Sequence, residues 1–550
     1  MFKWNPKITT SLKYYPRRQF LRDMKAGAIV AVIAFPLSFA LAIASGMSPV
    51  TGLYSAIVGG FLVSLLGGSM VNIGGATAAT VMTVSSIVAR EGAAGLAVAS
   101  ILAGIFLVLF GALKAGYLLK FIPRTITLGF TAAIGMGIFA GQIKGFLGLR
   151  MGELPVRTVD KLMASGAALG TVHLPTLAVG LLALAVLLLI PRISGKIPPS
   201  LAAILVSTGV AAALKLPVAT IGSVYGELPS HVPVPKLPEI DYDMVAGLVP
   251  ESFTLAVLIA IVSLLACVVT DGMTGQQHDS NQELVAQGIA NIFCGIFGAI
   301  PVAGAVARAS NNVKNGGRTP VAGMFHSVVV LVILLCLLPL ASYIPMAALS
   351  AVLIQVAFSM SNLPEFVYMA KNAPKSDLAV LLATTFAGVL VDLLFAVEVG
   401  MVAAAFLFMS RMSEVTFVRS WDYYTEEQLA NDPDRLNVRL VPKRTLVYEL
   451  EGPMFFASAG EFMKINAVAG TKVVILRMRS VSAIDITALK YLEGFEARCR
   501  KRKITLLLSH VQEQPLAMMR KAGFADRIGS ENFCKNIDEA LMRAAELVKE

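Results

Sequence analysis

Two short runs of small residues are the places where this sequence offers the chemistry of a binding site. The runs consist of Gly74, Gly75, Ala76 and Thr77, and of Pro301, Val302, Ala303 and Gly304. Each run precedes a short apolar segment, and a helix that begins inside a membrane leaves its first N–H groups without partners. Those groups carry about half a positive charge, and small side chains let a ligand approach them closely. The pattern therefore predicts an anion site at two converging helix starts.

Two polar side chains lie close to these runs. The hydroxyl of Thr77 can donate one further hydrogen bond to an anion. Arg308 follows the second run, and a cation inside a membrane is costly unless it faces water or a partner. Arg308 therefore either adds positive potential to the anion cavity or contacts lipid headgroups, and the sequence favours neither. The glycines have a second interpretation too, since they allow transmembrane helices to pack closely.

The elements that would position these residues are membrane helices. Hydrophobic residues make up 56% of the 550 residues and charged residues 15%, which does not fit an ordinary soluble protein. Apolar segments long enough to cross a bilayer recur between residues 26 and 408, and we count fourteen of them. They begin near residues 26, 52, 75, 94, 124, 174, 198, 253, 286, 303, 322, 346, 377 and 394.

The order of these segments predicts their topology. The first and eighth segments, like the third and tenth, begin about 228 residues apart, which is typical of two seven-segment halves in an inverted repeat. An even count places both termini on one side, and basic residues before the first segment place that side in the cytoplasm. We expect an integral plasma (inner) membrane protein with an N-terminal segment 1–25, a transmembrane domain 26–412, a linker 413–438 and a cytoplasmic domain 439–550.

The C-terminal tail alternates between strands and helices. The pattern predicts strands at 445–450, 473–478 and 504–509, helices at 458–465 and 487–502, and further helices from 514 and 537. This alternation is typical of a small α/β domain. The sequence contains no phosphate-binding loop or dinucleotide motif, and no nucleophile or acid/base pair falls within the membrane segments, so we predict that the chain is not an enzyme.

Charge and cysteine content argue against nucleic-acid-binding, disulfide-rich and metal-binding proteins. The net charge is +11, but the basic residues lie at helix ends and in loops, so no nucleic-acid partner is predicted. The five cysteines are scattered without paired spacing, so we expect neither a disulfide framework nor a metal site, and no cofactor. His326 is interpreted as a hydrogen-bonded core residue, and His278 and Asp279 as parts of a polar loop.

The most recognisable motif begins with Asp-Gly-Met-Thr-Gly at residues 271–275. It continues with His278, Ser280, Asn281, Glu283, Leu284, Gln287, Gly288, Ala290 and Asn291. Together with Ala307-Arg308, Gly-Gly-Arg-Thr-Pro at 316–320 and Gly-Leu-Tyr at 52–54, this run resembles the sulfate permease (SulP) family of anion transporters.

The resemblance implies a membrane domain divided into a core and a gate, with an anion held between the third and tenth helix starts and moved by alternating access. It also implies a homodimer and a C-terminal STAS domain that contacts a cytoplasmic protein. The expected substrates are sulfate, bicarbonate, chloride or dicarboxylates. A nucleobase carrier and a membrane-tethered anion sensor are the alternative functions.

One departure from the family bears on energy coupling. Nine residues before the Asp-Gly-Met-Thr-Gly run, the family usually has an acidic residue that is linked to cation or proton coupling, but this sequence has Val262. We therefore expect exchange or uniport of the anion. In the alternative, Asp392 or Glu398 takes over the coupling role. The site is also less polar than in relatives, since Ala76 and Ala303 replace a proline and a threonine.

The tail carries a second resemblance at residues 484–489. There Asp485 and Thr487 match the STAS loop-to-helix signature, and Thr487 takes the position that is phosphorylated in soluble anti-sigma-factor antagonists. Phosphate at a helix start would be stabilised by the helix dipole, so both residues are candidates for regulation. The alternative is that Thr487 simply caps the helix.

Overall fold

The computed structural model describes residues 4–117, 123–152, 154–193, 197–238, 242–414, 417–420, 441–456 and 470–549. The chain divides into two compact units, Met1–Met401 and Val402–Glu550. Within the described ranges, nine helices are long and apolar enough to cross a membrane. The count of fourteen spans and the inverted repeat stay predictions.

Helices dominate the first unit. They are α1 (Arg17–Ala44), α2 (Pro49–Leu66), α3 (Val81–Ala112), α4 (Arg124–Leu147), α5 (Thr158–Ala167), α6 (Leu174–Ile193), α7 (Pro199–Ala213), α8 (Tyr242–Thr274), α9 (Ser280–Ile296), α10 (Val306–Lys314), α11 (Val321–Ala341), α12 (Met346–Ser361), α13 (Leu363–Asn372), α14 (Lys375–Leu390) and α15 (Leu393–Glu414), the last of which continues into the second unit. Two short strands interrupt them: β1 (Gly74–Ala76) precedes α3, and β2 (Val302–Gly304) precedes α10.

The structure revises the starts of the two unusual segments. Residues near 75 and 303 lie in strands, and the helices begin later, at Val81 and Val306. The predicted third and fourth segments are two helices that meet at a kink within α3, where Gly92 has a φ of 66°. Glycine tolerates this left-handed conformation, which ends regular helix geometry at that point. The tenth segment is short, as predicted, because α10 has 9 residues.

Glycines set the close packing of α9 against α3. A Cβ atom on Gly288 would meet the carbonyl oxygen of Gly104, and a Cβ atom on Gly104 would meet the carbonyl oxygen of Gly288. The two backbones therefore approach more closely than any larger side chain permits. This contact fixes α9 beside the helix that follows β1.

The second unit contains a five-stranded sheet in the order β3 (Phe417–Ser420), β4 (Thr445–Glu451), β5 (Val473–Ser480), β6 (Thr505–Ser509) and β7 (Phe533–Cys534). The β3–β4 pair is antiparallel and the other pairs are parallel. The helices are α16 (Ile486–Lys501), α17 (Glu513–Lys521), α18 (Phe524–Ile528) and α19 (Ile537–Lys549). The predicted helix at 458–465 lies outside the described residues, and β3 lies within the predicted linker 413–438.

Both faces of this sheet are covered. Val474, Leu476 and Met478 of β5 pack in one cluster with Leu489 and Phe495 of α16. The alternate residues Val473 and Ile475 pack in another cluster, with Ala540 and Ala544 of α19. Side chains on a strand point alternately to the two faces, so an unbroken apolar run is typical of a strand buried on both.

We expect Gly288→Ala to lower the stability of the first unit. The added methyl group would overlap the backbone of Gly104, and overpacking of this kind costs about 1–3 kcal/mol. Thermal unfolding in detergent measures the effect. The matched control is Gly141→Ala in α4, where a Cβ atom would meet nothing within 4 Å. A melting temperature lowered equally by both substitutions would contradict the packing account.

Candidate functional site

The two runs of small residues come together as paired strands. In the antiparallel pair of β1 and β2, Gly74 lies opposite Gly304, Gly75 opposite Ala303, and Ala76 opposite Val302. All six residues are buried. Pairing of residues this far apart in sequence places the starts of α3 and α10 next to each other.

Two side chains from neighbouring helices bind the β2 backbone. The Asn291 side chain of α9 accepts a hydrogen bond from the Val302 N–H at 2.8 Å and donates one to the Val302 carbonyl at 2.9 Å. The hydroxyl of Ser263 on α8 accepts from the Gly304 N–H at 2.9 Å. Because a buried backbone N–H must have a partner, these bonds stabilise the strand inside the membrane unit.

Neither helix start has a side-chain cap at its own cap position, which is Thr80 for α3. The buried Thr77 caps the short 3₁₀ turn Ala78–Thr80 before α3, where its hydroxyl oxygen accepts a long hydrogen bond of 3.4 Å from the Ala79 N–H. At the start of α10, the cap position is Ala305, whose side chain has no group that can accept a hydrogen bond. The first N–H groups of α10 therefore keep the partial positive charge that an acidic or hydroxyl cap would offset.

Arg308 is buried in the protein immediately beside β1. Its exposed fraction is 2%, and a Cβ atom on Gly75 would overlap its Nη1 atom. Among the described residues, none accepts a hydrogen bond from any of its three guanidinium nitrogens. A residue so buried does not contact lipid headgroups, which argues against that alternative. A buried charge without a partner is costly, so this guanidinium lacks the negative charge that would offset its burial.

His326 of α11 lies in the same part of the unit, close enough for a coulombic interaction with Arg308. It is fully buried, and neither ring nitrogen has a hydrogen-bond partner within the described ranges. The expectation of a hydrogen-bonded core histidine is therefore wrong for these ranges. His326 is an isolated polar residue in an apolar helix, so the sequence did not indicate that it lies near Arg308.

The coupling position lies directly beside the site. Val262 is half-buried and packs against the core, and the next residue along α8, Ser263, binds β2. The two acidic residues considered as replacements are both exposed at the start of α15. Asp392 there accepts a hydrogen bond from the Phe395 N–H at 2.8 Å, as a helix cap does, whereas Glu398 lies further along the helix.

Sequence reasoning did not assign a structural role to the polar residues that form hydrogen bonds around the two strands. These residues are Asn72, Glu283, Gln287, Asn291 and Asn312, all of which are buried. Three of them recur at intervals of four along α9, and that periodic polar face was the available signal. Within the described ranges, no group of three or more His, Cys, Asp or Glu residues is arranged to hold a metal ion.

In the second unit, Asp485 caps α16. Its carboxylate accepts hydrogen bonds from the Ala488 N–H at 2.7 Å and from the Phe456 N–H at 2.9 Å. Thr487 lies within the first turn and is exposed, so it is not the cap. A regulatory role for these two residues stays a prediction.

Comparisons with known proteins identify two families and several relatives that this chain matches. The sulfate permease family matches residues 20–384, and the STAS domain matches residues 438–540. A putative sulfate transporter of Bacillus subtilis, YvdB, is 37% identical over 97% of this chain and 99% of its own length. The bicarbonate transporter BicA of a Picosynechococcus strain is 28% identical over 98% of this chain and 96% of its own.

Two solved structures have a similar fold. The transmembrane domain of a cyanobacterial bicarbonate transporter BicA superposes with a TM-score of 0.62 at 28% identity, covering 71% of this chain and 98% of that one. The murine anion transporter Slc26a9 in its inward-facing state superposes with a TM-score of 0.85 at 19% identity, covering 99% and 94%. The predicted helical membrane fold with a C-terminal STAS domain is confirmed.

We expect Asp485→Ala to destabilise the second unit by about 1 kcal/mol, because α16 loses its N-cap. Thr487→Ala is the matched control, since its side chain is exposed and does not cap the helix. Thermal or chemical unfolding followed by a signal from the STAS domain measures both. A larger loss in Thr487→Ala than in Asp485→Ala would contradict the assignment of the cap.

Proposed function

Because this chain belongs to the sulfate permease family, we propose that it is a secondary transporter of small anions. The observation that carries the proposal is the buried guanidinium of Arg308, which lies against Gly75 at the paired strands and has no hydrogen-bond partner among the described residues. The relatives named above supply the substrate class, an oxyanion such as sulfate or bicarbonate.

The proposed binding mode follows from the surroundings of Arg308. An anion that sits beside Gly75 contacts the guanidinium and the free N–H groups at the start of α10, with the start of α3 adjacent. The small residues of β1 and β2 leave backbone within reach of the ligand. A guanidinium matches the planar or tetrahedral oxygens of an oxyanion with two parallel hydrogen bonds. The anion thus supplies the negative charge that the buried site lacks.

Transport requires the site to open to each side in turn. We propose that the strand pair and its two helices move as part of a core against the remaining helices, as in alternating access. Cytoplasmic termini, a homodimer and contact of the STAS domain with a cytoplasmic protein are further parts of this proposal. A sensor without transport is not favoured, since the relatives above are named as transporters.

We expect Arg308→Ala to raise the KM for anion uptake by at least tenfold, which corresponds to about 1.4 kcal/mol of lost binding. Arg308→Lys keeps the charge but not the paired hydrogen bonds, so its loss is smaller. Initial rates of sulfate and bicarbonate uptake into proteoliposomes measure both. Arg124→Ala is the matched control, because that arginine is exposed in an ion pair with Glu365. Wild-type uptake in both Arg308 variants would remove this residue from the site.

We also propose that the transporter works by exchange or uniport, because the half-buried Val262 occupies the coupling position beside the site. Anion accumulation is expected to depend weakly on sodium and proton gradients, whereas Val262→Glu introduces a titratable group there. Val262→Gln is the control of matched size without the charge. Uptake is followed at a fixed anion gradient while each cation gradient is varied separately. Native accumulation that requires either cation gradient would contradict uncoupled transport.

A further inference from the structure

The carboxylate of Glu283 on α9 is fully buried and accepts four hydrogen bonds. One oxygen accepts from the Gly68 N–H at 2.9 Å and from the Ser69 N–H at 3.2 Å. The other accepts from the Asn72 side chain at 2.7 Å and from the Gln287 side chain at 3.0 Å. All four neighbours donate in this arrangement, which suits an ionised carboxylate.

The donors belong chiefly to the segment 67–73, which connects α2 to β1. Other residues at the start of α9 bind the same segment. The Asp279 N–H donates to the Gly68 carbonyl at 2.9 Å, and the Gln282 side chain donates to the Leu66 carbonyl at 2.7 Å. A Cβ atom on Gly68 would overlap the Asp279 carbonyl oxygen, so the two backbones lie in direct contact. The segment has no regular structure of its own, and it is held by these bonds and by the Asn312 side chain, which donates to the Val71 carbonyl at 3.0 Å.

The same face of α9 also holds the second strand. Glu283, Gln287 and Asn291 are spaced by four residues, which places them in one row along the helix. Glu283 binds the segment that leads into β1, whereas Asn291 binds the Val302 backbone of β2. Asn72 completes the connection, because its amide contacts Gly304 and also donates to Glu283. One helix face therefore fixes both strands of the candidate anion site.

We propose that Glu283 is a positioning residue for anion binding, and that its four accepted hydrogen bonds hold β1 in register with β2 and beside Arg308. This inference rests on the proposed transport function. The essential property of Glu283 is then the position of its two oxygens, and its negative charge is secondary. A proton-carrying or charge-balancing role would instead require an ionisable group at residue 283.

A pair of conservative substitutions separates these roles. Glu283→Gln keeps the length of the side chain and loses the charge. Its new amide can donate to Asn72 and Gln287, because the Oδ1 of Asn72 and the Oε1 of Gln287 have no partner within the described ranges and both amides can turn. Glu283→Asp keeps the charge but is one methylene shorter, so its oxygens cannot reach both the backbone of 68–69 and the two amides.

Two readouts are measured on the purified full chain. The first is hydrogen exchange of the backbone amides in 67–76, and the second is the KM for sulfate and bicarbonate uptake in proteoliposomes. We expect Glu283→Gln to stay within threefold of wild type in both. We expect Glu283→Asp to exchange these amides at least tenfold faster and to have a KM raised by tenfold. The same two substitutions at Glu91, an exposed residue of α3, serve as the matched control and should leave both readouts unchanged.

The outcomes distinguish this inference from the transport proposal. A smaller effect of Glu283→Asp than of Glu283→Gln on the two readouts would show that the charge is required and would overturn the inference. Wild-type values in both variants, or equal impairment in both, would overturn it as well. Faster exchange in Glu283→Asp with an unchanged KM would also overturn it, because the segment would then not position the site. If the wild-type protein moves neither anion, the transport proposal fails, while the exchange data still decide whether Glu283 holds β1.

Discussion

A buried positive charge, which has no hydrogen-bond partner in the part of the chain that the structure describes, is the constraint on which the rest of this structure depends. The Arg308 guanidinium is removed from water, and transfer of a charge into an apolar interior is among the most costly events in folding. The surroundings must leave room for this side chain. Gly75 meets the requirement, because any larger residue would occupy the position of the guanidinium.

Interrupted helices create the second physical problem, since their free backbone groups have no water with which to bond in the membrane unit. Pairing of β1 with β2 satisfies part of this need, and Asn291 and Ser263 bind further groups of β2. The site can therefore contain irregular backbone only because neighbouring helices provide polar side chains at matching positions. The buried guanidinium belongs to α10, whereas α9 supplies Asn291, which binds the β2 backbone.

Local sequence pattern was sufficient for the features that depend on local forces. Hydropathy located the apolar helices, and alternation in the tail located strands β4 to β6 to within a few residues. Glycine and proline marked the two breaks correctly but did not indicate strands, because a three-residue strand such as β1 exists only through its distant partner. Likewise, the bonds from Gly68, Ser69 and Asn72 to Glu283 join residues more than 200 positions apart, and no local pattern specifies them.

The strand β3 changes how the soluble part of the chain is delimited. It begins at Phe417, directly after α15 ends at Glu414, and it pairs along β4 from Glu451 to Tyr448. A truncated protein that starts at residue 439 would lack this strand. The N–H and carbonyl groups on that side of β4 would then be exposed as an open sheet edge, which invites aggregation with other chains. Crystallisation or binding work on the isolated STAS domain should therefore keep residues 417–420, which form the strand at this edge of the sheet.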